Sequence, residues 1–498
     1  QARTALATLR SRAEALPGEA QVQVDLATRE ARTRAEQAAD RARQLVTVVR
    51  PDAVVTTVTG ATPPQLEAGH SNYFTLAGIG IRDSARARLA QGLRRQGIAV
   101  EVFERDTAPV DRSQGYRIHI NPTGTRALRA CLSDELFEMF LDTSGSGGQG
   151  LSFTDHLLRP LLSLEGPSSQ DPLLNHQSVC RVTLRHLLLR GLEDTVHFGR
   201  HYERYEERPD AGVVACFADG STAEGDVLVG ADGCRSRVRT QRLPHARVSE
   251  TGAIGIAGKL PLDDALRSWI HPPLLASSHI VMGPYGTRMF AATHEYRTRP
   301  SKVLGLEPGN SGLLFDTDTD YLMWAVTATP ERFALPLDTT LSSARQLRAA
   351  VLRLVDDWHP LIRRAVADAD SDTLTGLPVR SAESLPDWEP SRITLVGDAA
   401  HCATPLGGMG GNLALRDAEL LQRDLTAAAR GTSRVEQAVE KYESAMRGYA
   451  ADALLKSKKN LERSLAENSF SRAMTRATFR VIDRIPSVKR RMAAEAGG

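Results

Sequence analysis

"GDAAHCATPLGGMGGNLALRDA", residues 397–418, decides the fold of this 498-residue chain. The apolar run 393–396 that precedes it predicts a buried strand, and the leucines and alanines that follow at helical spacing predict a helix. The stretch is therefore a strand, a turn and a helix N-terminus. Because the first N–H groups of a helix are unpaired and its dipole is positive there, such a turn favours an electron-rich or anionic ligand.

The turn contains the residues expected to contact such a ligand. An aspartate at the carboxyl end of the strand can accept a hydrogen bond from a ligand hydroxyl. Glycines have no Cβ, so they let a flat ligand approach the backbone N–H groups closely. The candidate binding residues of this turn are Asp398, Pro405, Gly407, Gly408, Gly410, Gly411 and Asn412. The glycines alone fit an ordinary strand-to-helix turn equally well.

Two further strand ends carry acidic residues. The stretch "DVLVGADGCRSRVR", residues 226–239, is an apolar strand that runs into a turn with Asp232 and Gly233. An aspartate there can bind a ribose or orient the turn. The stretch "IAVEVFERD" predicts a strand that ends in Glu104, after a helix that ends at Gly97. An acidic residue about 20 residues beyond a glycine-rich turn can accept hydrogen bonds from an adenosine ribose.

Together and in this order, these stretches resemble the single-component FAD-dependent monooxygenases, the flavoprotein aromatic hydroxylases. The resemblance covers roughly residues 76–445. It rests on "VFERD", "CRVTLRHLL", "GADGCRSRVR" and "LVGDAAHCATPLGGMGGNLALRDAELL". The fold class that it implies is α/β, with a Rossmann-like FAD-binding domain, an inserted β-sheet substrate domain and a helical C-terminal region.

The resemblance implies a role for each candidate residue. Glu104 would hold the adenosine ribose of FAD, and Arg181 would contact its ribityl and phosphate portion. Asp232 would support FAD and the path of NAD(P)H, while Asp398 would bind the ribityl chain. Residues 405–412 would line the isoalloxazine ring, where a helix N-terminus would stabilise the negative charge of the reduced flavin.

Other polar residues of these segments have structural interpretations. His401 is expected to brace its loop rather than act as a base. Asp417 is expected to satisfy nearby backbone groups, and Arg181 keeps a second interpretation as a surface arginine of a helix. The sequence leaves the catalytic residues unassigned, and we predict no metal ligand.

The first glycine loop departs from the family pattern. At the family's spacing from Glu104, the three glycine positions are occupied by larger residues: Ile81, Asp83 and Arg86. Gly78 and Gly80 lie earlier in the chain and are kept as candidate pyrophosphate contacts. Either the loop carries an insertion and still binds, or the region is an altered or out-of-frame version of the ancestral one. We favour the second interpretation, because Asp83 would repel a phosphate.

The composition is ordinary for a soluble globular protein. Hydrophobic residues make up 41% and charged residues 24%, and a formal net charge of +2 argues against a nucleic-acid partner. The five cysteines stand singly, so neither a zinc site nor a disulfide framework is predicted. With no membrane-length apolar run and no apolar signal core, a cytoplasmic location is expected.

Changes of pattern along the chain predict five segments. They are an atypical helical extension (1–75), the first part of the FAD-binding domain (76–250), a substrate-binding β-sheet domain (251–375), the second part of the FAD-binding domain (376–430) and C-terminal helices (431–498). Within the second segment, residues 195–233 predict a β-meander. The basic end of the chain is interpreted as a solvated helix face, with a weak membrane-surface or oligomer contact as the alternative.

The family mechanism implies reduction of FAD by NAD(P)H, addition of molecular oxygen at flavin C4a and oxygen transfer to an electron-rich carbon. The expected substrate is an aromatic or polyketide-like small molecule that is hydroxylated or epoxidised. Candidate pocket residues, each better interpreted as core, are Met282, Phe290, Phe315, Met323 and Trp324. The alternatives are a halogenase or reductase on the same fold, and a degenerate member that binds a ligand without turnover.

Overall fold

The computed structural model describes residues 73–78, 84–108, 116–145, 150–166, 169–208, 212–276, 278–305, 318–340, 342–466 and 469–497. Several predicted features lie outside these residues: residues 1–72 of the helical extension, Gly80, Ile81, Asp83 and Phe315.

The strands are numbered in chain order. They are β1 (Tyr73–Gly78), β2 (Ala99–Glu104), β3 (Arg117–Ile120), β4 (Leu151–Asp155), β5 (Pro160–Leu164), β6 (Gln177–Cys180), β7 (Val196–His197), β8 (Tyr202–Glu207), β9 (Val213–Phe217), β10 (Thr222–Gly225), β11 (Val227–Gly230), β12 (Val248–Pro261), β13 (Ser278–Met282), β14 (Arg288–His294), β15 (Tyr321–Ala328), β16 (Thr375–Ala382) and β17 (Ile393–Leu395).

The helices are numbered in the same way. They are α1 (Ser84–Arg95), α2 (Pro122–Cys131), α3 (Asp134–Thr143), α4 (Arg181–Leu189), α5 (Arg237–Arg242), α6 (Asp264–Trp269), α7 (Pro273–Ala276), α8 (Pro300–Leu304), α9 (Pro330–Phe333), α10 (Ala344–Leu354), α11 (Pro360–Ala367), α12 (Asp398–His401), α13 (Met409–Ala429), α14 (Val435–Leu465), α15 (Ser469–Asp483) and α16 (Pro486–Gly497).

A parallel sheet with the strand order β17-β11-β1-β2-β7 forms the centre of the first core. Gly78, at the end of β1, lies beside Glu104, at the end of β2. The helices α1 and α13 pack against each other, and their buried apolar residues belong to the same core as those of the sheet. Since the carboxyl ends of parallel strands share one edge, the turns after β2, β11 and β17 meet there. The predicted Rossmann-like α/β fold is confirmed.

The predicted β-meander is only partly correct. Strands β8, β9 and β10 form an antiparallel sheet, but β11 leaves it and pairs with β1 and β17. All four residues of β11 are buried, as is typical of a strand that is covered on both faces of a parallel sheet. The tight turn at Gly220, where φ is 81°, joins β9 to β10 and not to β11.

A second sheet has the order β16-β12-β15-β14-β13-β4-β5 and is antiparallel except between β13 and β4. The strands β4 and β5 precede residue 251, so the sheet extends beyond the segment predicted for it. One face packs on α10 and α11 in a second apolar core. Members of that core are Ile254, Ile256, Trp324, Leu347, Val351 and Ile362. Trp324 is therefore a core residue, as interpreted from the sequence.

Helices follow the parallel sheet to the end of the described residues. The helix α13 packs along α1, α2 and α14, and α15 packs on β5. In the part of the chain that the structure describes, no helix combines the length and the apolar character needed to cross a membrane.

Candidate functional site

The glycine-rich turn opens the N-terminus of α13. Gly407 and Gly408 have φ values of 102° and 64°, a left-handed conformation that favours glycine. A Cβ added at Gly411 would meet no atom within 4 Å, and one added at Gly408 would lie 3.8 Å from the Cβ of His119. The N-terminus of this 21-residue helix is therefore open to a ligand on one side.

The two motif turns are held together at the edge of the parallel sheet. Asp398, 6% exposed, begins α12 directly after β17. The buried guanidinium of Arg239, on α5, donates to the carbonyl of Ala399 at 2.7 Å and to that of Cys234 at 2.6 Å. Asp398 consequently lies beside the turn that contains Asp232.

The carboxylate of Asp232 is used within its own turn. It accepts hydrogen bonds from the Ser236 hydroxyl, from the N–H of Arg237 at 2.6 Å and from the N–H of Val238 at 3.2 Å. Burial raises the pKa of Asp232 above its ordinary value. Of the two roles open from the sequence, the geometry supports turn orientation, and Gly233, with a φ of 75°, completes that turn.

Asn412 fastens the glycine turn to strand β3. Its Oδ1 accepts from the N–H of Asn121 at 2.9 Å, and its Nδ2 donates to the carbonyls of His119 and Gly408 at 2.9 and 3.0 Å. The amide side chain is thus occupied by the protein. These contacts position the predicted ring-binding turn.

His401 and Asp417 form a buried pair behind the turn. His401 Nε2 lies 2.7 Å from Asp417 Oδ2, which also accepts from the N–H of Gly397 at 2.6 Å. The Tyr449 hydroxyl donates to the other oxygen of Asp417. Burial alone would lower the pKa of His401, but the Asp417 carboxylate outweighs it and holds the pKa above its ordinary value. This geometry agrees with the bracing role expected for both residues.

A disulfide joins Cys234 to Cys402, which contradicts the expectation that no disulfide would form. The two residues are 168 positions apart in sequence, with a Cα–Cα distance of 5.2 Å. They meet because β11 and β17 are neighbours in the parallel sheet, so the turns that follow them lie together. Sequence spacing alone carries no signal of this contact.

Glu104 is surrounded by cationic side chains. Its carboxylate pairs with Arg86 and lies 3.5 Å from the guanidinium of Arg185, and it accepts from the N–H of Asp106 at 3.0 Å. Burial would raise the pKa of Glu104, but Arg86 and the other donors hold it below its ordinary value. Arg86 stands at the third glycine position of the family, and its side chain is directed at the carboxylate that was predicted to bind ribose.

Arg181 is the first residue of α4 and is half-buried. Its N–H donates to the carbonyl of Tyr116 at 3.2 Å. This position at a helix start leaves both interpretations of its side chain open, as a phosphate contact or as a surface arginine.

Opposite the glycine turn lies a ribbon formed by β3 and β6, and it carries histidines that the sequence analysis missed. His119 Nε2 is 2.7 Å from His176 Nδ1, and the two rings stack. Burial, with Arg117 and His176 nearby, lowers the pKa of His119 to about 3. Both histidines are therefore neutral at pH 7, and His119 lies beside Gly408.

The ribbon also contacts the open face of the second sheet. Arg117 Nε donates to Ser178 Oγ at 2.6 Å, and the Ser178 hydroxyl lies within hydrogen-bond distance, 2.8 Å, of His294 Nδ1. His294 shares its face of β14 with Phe290 and Arg288, since alternate residues of a strand point the same way. The ribbon thus contacts the glycine turn through His119 and this sheet face through His294.

Arg288 is a half-buried cation on that face. Burial lowers its pKa to about 10, so its guanidinium keeps its charge at pH 7. Its guanidinium makes no hydrogen bond or ion pair within the described residues. A charge withdrawn from water without a partner is costly, and an anionic ligand would offset that cost.

A family model for the FAD binding domain matches residues 87–457. The chain belongs to this FAD-binding family. The match begins directly after Arg86, the last of the three altered glycine positions. The predicted resemblance to FAD-dependent monooxygenases is confirmed.

Curated relatives of this FAD-binding family member are monooxygenases. The dual O-methyltransferase/FAD-dependent monooxygenase elcB of Phaeosphaeria nodorum is 31% identical over 68% of the chain, which spans 39% of that protein. The FAD-dependent urate hydroxylase of Klebsiella oxytoca is 28% identical over 75% of the chain and 86% of the relative.

Solved structures share the fold. A Photorhabdus luminescens protein assigned as an FAD-containing monooxygenase has a TM-score of 0.68 and 29% identity, over 80% of this chain and 100% of that one. Klebsiella pneumoniae HpxO complexed with FAD and uric acid has a TM-score of 0.65 and 22% identity, over 86% and 97% of the two chains.

Proposed function

We propose that this FAD-binding family member is a monooxygenase that uses NAD(P)H and molecular oxygen to hydroxylate or epoxidise an aromatic or polyketide-like small molecule. The observation that carries the proposal is the open, glycine-lined N-terminus of α13 beside Asp398, facing the ribbon and the sheet. FAD bound there would be reduced by NAD(P)H and would activate oxygen at its C4a position.

The residues of the flavin end fit the cofactor. Residues 405–411 would line the ring through backbone N–H groups, and Asp398 would accept a hydrogen bond from a ribityl hydroxyl. The disulfide and Arg239 hold the two motif turns in place, while Asn412 fixes the start of α13. These contacts give a preorganised surface for a flat, electron-rich ring.

The adenosine end fits less well, because the Glu104 carboxylate is engaged by Arg86. This observation favours a second candidate function, a family member that binds FAD weakly or only a substrate-like ligand, without turnover. The two candidates differ in the affinity of the protein for FAD.

Four observations support an aromatic substrate that carries an acidic oxygen. Arg288 offers an unpaired guanidinium on the sheet face, and His119 is a neutral histidine beside the glycine turn. Among the relatives, names include a urate hydroxylase and a 6-hydroxynicotinate 3-monooxygenase, both for ring compounds with acidic groups. The dual-function relatives pair oxidation with O-methylation in one polypeptide, which suits a phenolic or polyketide-like scaffold.

The proposal is tested with the purified protein, which we expect to be yellow or to become yellow when FAD is added. Aromatic compounds should then accelerate the oxidation of NADH or NADPH. Within a matched pair, the more acidic compound should have the larger effect, for example a phenolic acid compared with its amide. A protein that stays colourless with added FAD would contradict the proposal. A flavoprotein whose NAD(P)H oxidation responds to no aromatic compound would support the second candidate.

Arg86→Ala should tighten FAD binding about tenfold, because a charge-assisted hydrogen bond is worth about 1.5–3 kcal/mol and 1.4 kcal/mol is tenfold in affinity. Alanine restores a small residue at the helix start and frees the Glu104 carboxylate from its buried partner. Titration of FAD with quenching of its fluorescence measures the dissociation constants of wild type and variant.

Arg94→Ala is the matched control, since Arg94 lies exposed on the same helix. Unchanged or weaker FAD binding by Arg86→Ala would contradict the account of a damaged first loop. In that case Gly78 and Gly80 cradle the phosphates through an insertion, and Gly78→Val is the variant that loses FAD.

A further inference from the structure

The disulfide joins the turn that contains Asp232 to the turn that contains Asp398, the residue to which the proposed function assigns the ribityl chain of FAD. Cys234 follows Gly233 in the turn after β11, and Cys402 follows His401 at the end of α12. The bond therefore connects both turns covalently at the edge of the parallel sheet. Opening it would change the site without touching either apolar core.

The two cysteines of the disulfide differ in their exposure to solvent. Cys402 is 2% exposed, whereas Cys234 is half-buried. The remaining cysteines, Cys131, Cys180 and Cys216, are buried free thiols. A dissolved thiol therefore reaches the Cys234 side of the disulfide first, and Cys402 is the leaving sulfur.

Reduction also changes what faces Asp398. Cys234 Sγ lies 3.4 Å from Asp398 Oδ2. A disulfide sulfur carries no proton and cannot donate to that oxygen. A free Cys234 thiol can donate, so it competes for the carboxylate that would accept from the ribityl chain.

We propose that the Cys234–Cys402 disulfide is a thiol-exchange site through which a dithiol reductant lowers the affinity of the protein for FAD. The inference rests on the proposed function. A thiolate of the reductant attacks Cys234 Sγ, and Cys402 leaves as a thiolate that takes up a proton. The second thiolate of the reductant attacks the mixed disulfide, so Cys234 is released as a thiol and the reductant as a cyclic disulfide.

The fold should survive this two-electron reduction. Arg239 continues to bridge Cys234 and Ala399 through its guanidinium, and the N–H of Ala382 donates to the Cys402 carbonyl at 2.7 Å. The turns thus stay near each other but lose their fixed spacing. In a reducing compartment such as the cytoplasm, disulfides of this kind are transient and serve redox sensing or catalysis.

The test measures FAD dissociation constants in buffers of oxidised and reduced dithiothreitol at several ratios. A chelator is present, because reduced Cys234 and Cys402 with Asp398 could bind a divalent metal. Alkylation and mass spectrometry count the free thiols at each ratio, and the thermal midpoint reports stability separately. We expect FAD binding to weaken at least tenfold in step with the appearance of two new thiols, and to recover on reoxidation.

Substitutions separate the effect of losing the covalent bond from the effect of the new hydrogen-bond donor at Cys234. Cys234→Ala and Cys234→Ser both remove the disulfide, but only the serine side chain can donate a hydrogen bond to Asp398. The Cys234→Ser variant should therefore bind FAD more weakly than the Cys234→Ala variant. Neither variant should respond to the reductant, whereas Cys216→Ser should behave as wild type.

Two results would overturn the inference. The first is that Cys234 and Cys402 are found as free thiols even in the most oxidising buffer. The other is equal FAD affinity in both redox states. If the oxidised protein binds no FAD at all, the proposed function fails together with the inference, whereas equal affinities leave the proposed function standing.

Discussion

Asp417→Ala is expected to lower the free energy of unfolding by about 3–5 kcal/mol, the loss typical of breaking a buried charged pair. The substitution leaves two buried donors, the Gly397 N–H and the His401 Nε2, and the half-buried Tyr449 hydroxyl without their acceptor. Each unsatisfied group carries its own desolvation cost. Urea unfolding followed by tryptophan fluorescence measures the loss.

Asp417→Asn is the matched control, because an asparagine oxygen can still accept from Gly397 and His401 while its amide donates to Tyr449. It should lose clearly less stability than the alanine variant. Equal losses for the two substitutions would show that the charge matters and the hydrogen bonds do not.

The same pair predicts a pH dependence of defined sign. Asp417 holds the pKa of His401 above its ordinary value of 6.5. The stability that follows from protonated His401 is fully present below pH 6.5, and it is lost as the pH rises through the higher pKa of the folded state. The stability gap between wild type and Asp417→Asn should therefore shrink as the pH rises from 6.5 through the higher folded-state pKa of His401. A constant gap would mean that His401 does not change its protonation state over this range.

The sequence predicts the local parts of the site because their signals are local. The strand, turn and helix around residues 393–429 follow from an apolar run, glycines and helical spacing, and the structure places β17, α12 and α13 there. The structural roles of His401 and Asp417 were also expected, since both lie within one strand-turn-helix unit.

The sequence pattern did not predict the contacts between segments that are distant along the chain. The disulfide and the pairing of Arg86 with Glu104 depend on which strands are neighbours in the parallel sheet. The burial of β11 on both faces removed it from the predicted meander. His119 and Arg288 became candidates only when the structure showed the ribbon in contact with both the glycine turn and the sheet face.

Asp398→Ala is expected to weaken FAD binding by about 1.5–3 kcal/mol, or roughly 10- to 150-fold, the range for losing a charge-assisted hydrogen bond. The reason is the position of Asp398 after the end of β17, where its carboxylate lies between the turn that contains Asp232 and the glycine-rich turn. Equilibrium titration with FAD measures the change, and unfolding of the apoprotein checks that the fold is kept.

His401→Gln separates a ligand contact from a bracing role. His401 is fully buried behind the turn, so a glutamine that still donates to Asp417 should change FAD affinity far less than Asp398→Ala does. A variant that keeps its FAD but loses oxygen transfer would show that His401 takes part in the chemistry. Equal FAD affinity for wild type and Asp398→Ala would instead remove Asp398 from the cofactor site, and the binding surface would then consist of backbone N–H groups at the start of α13.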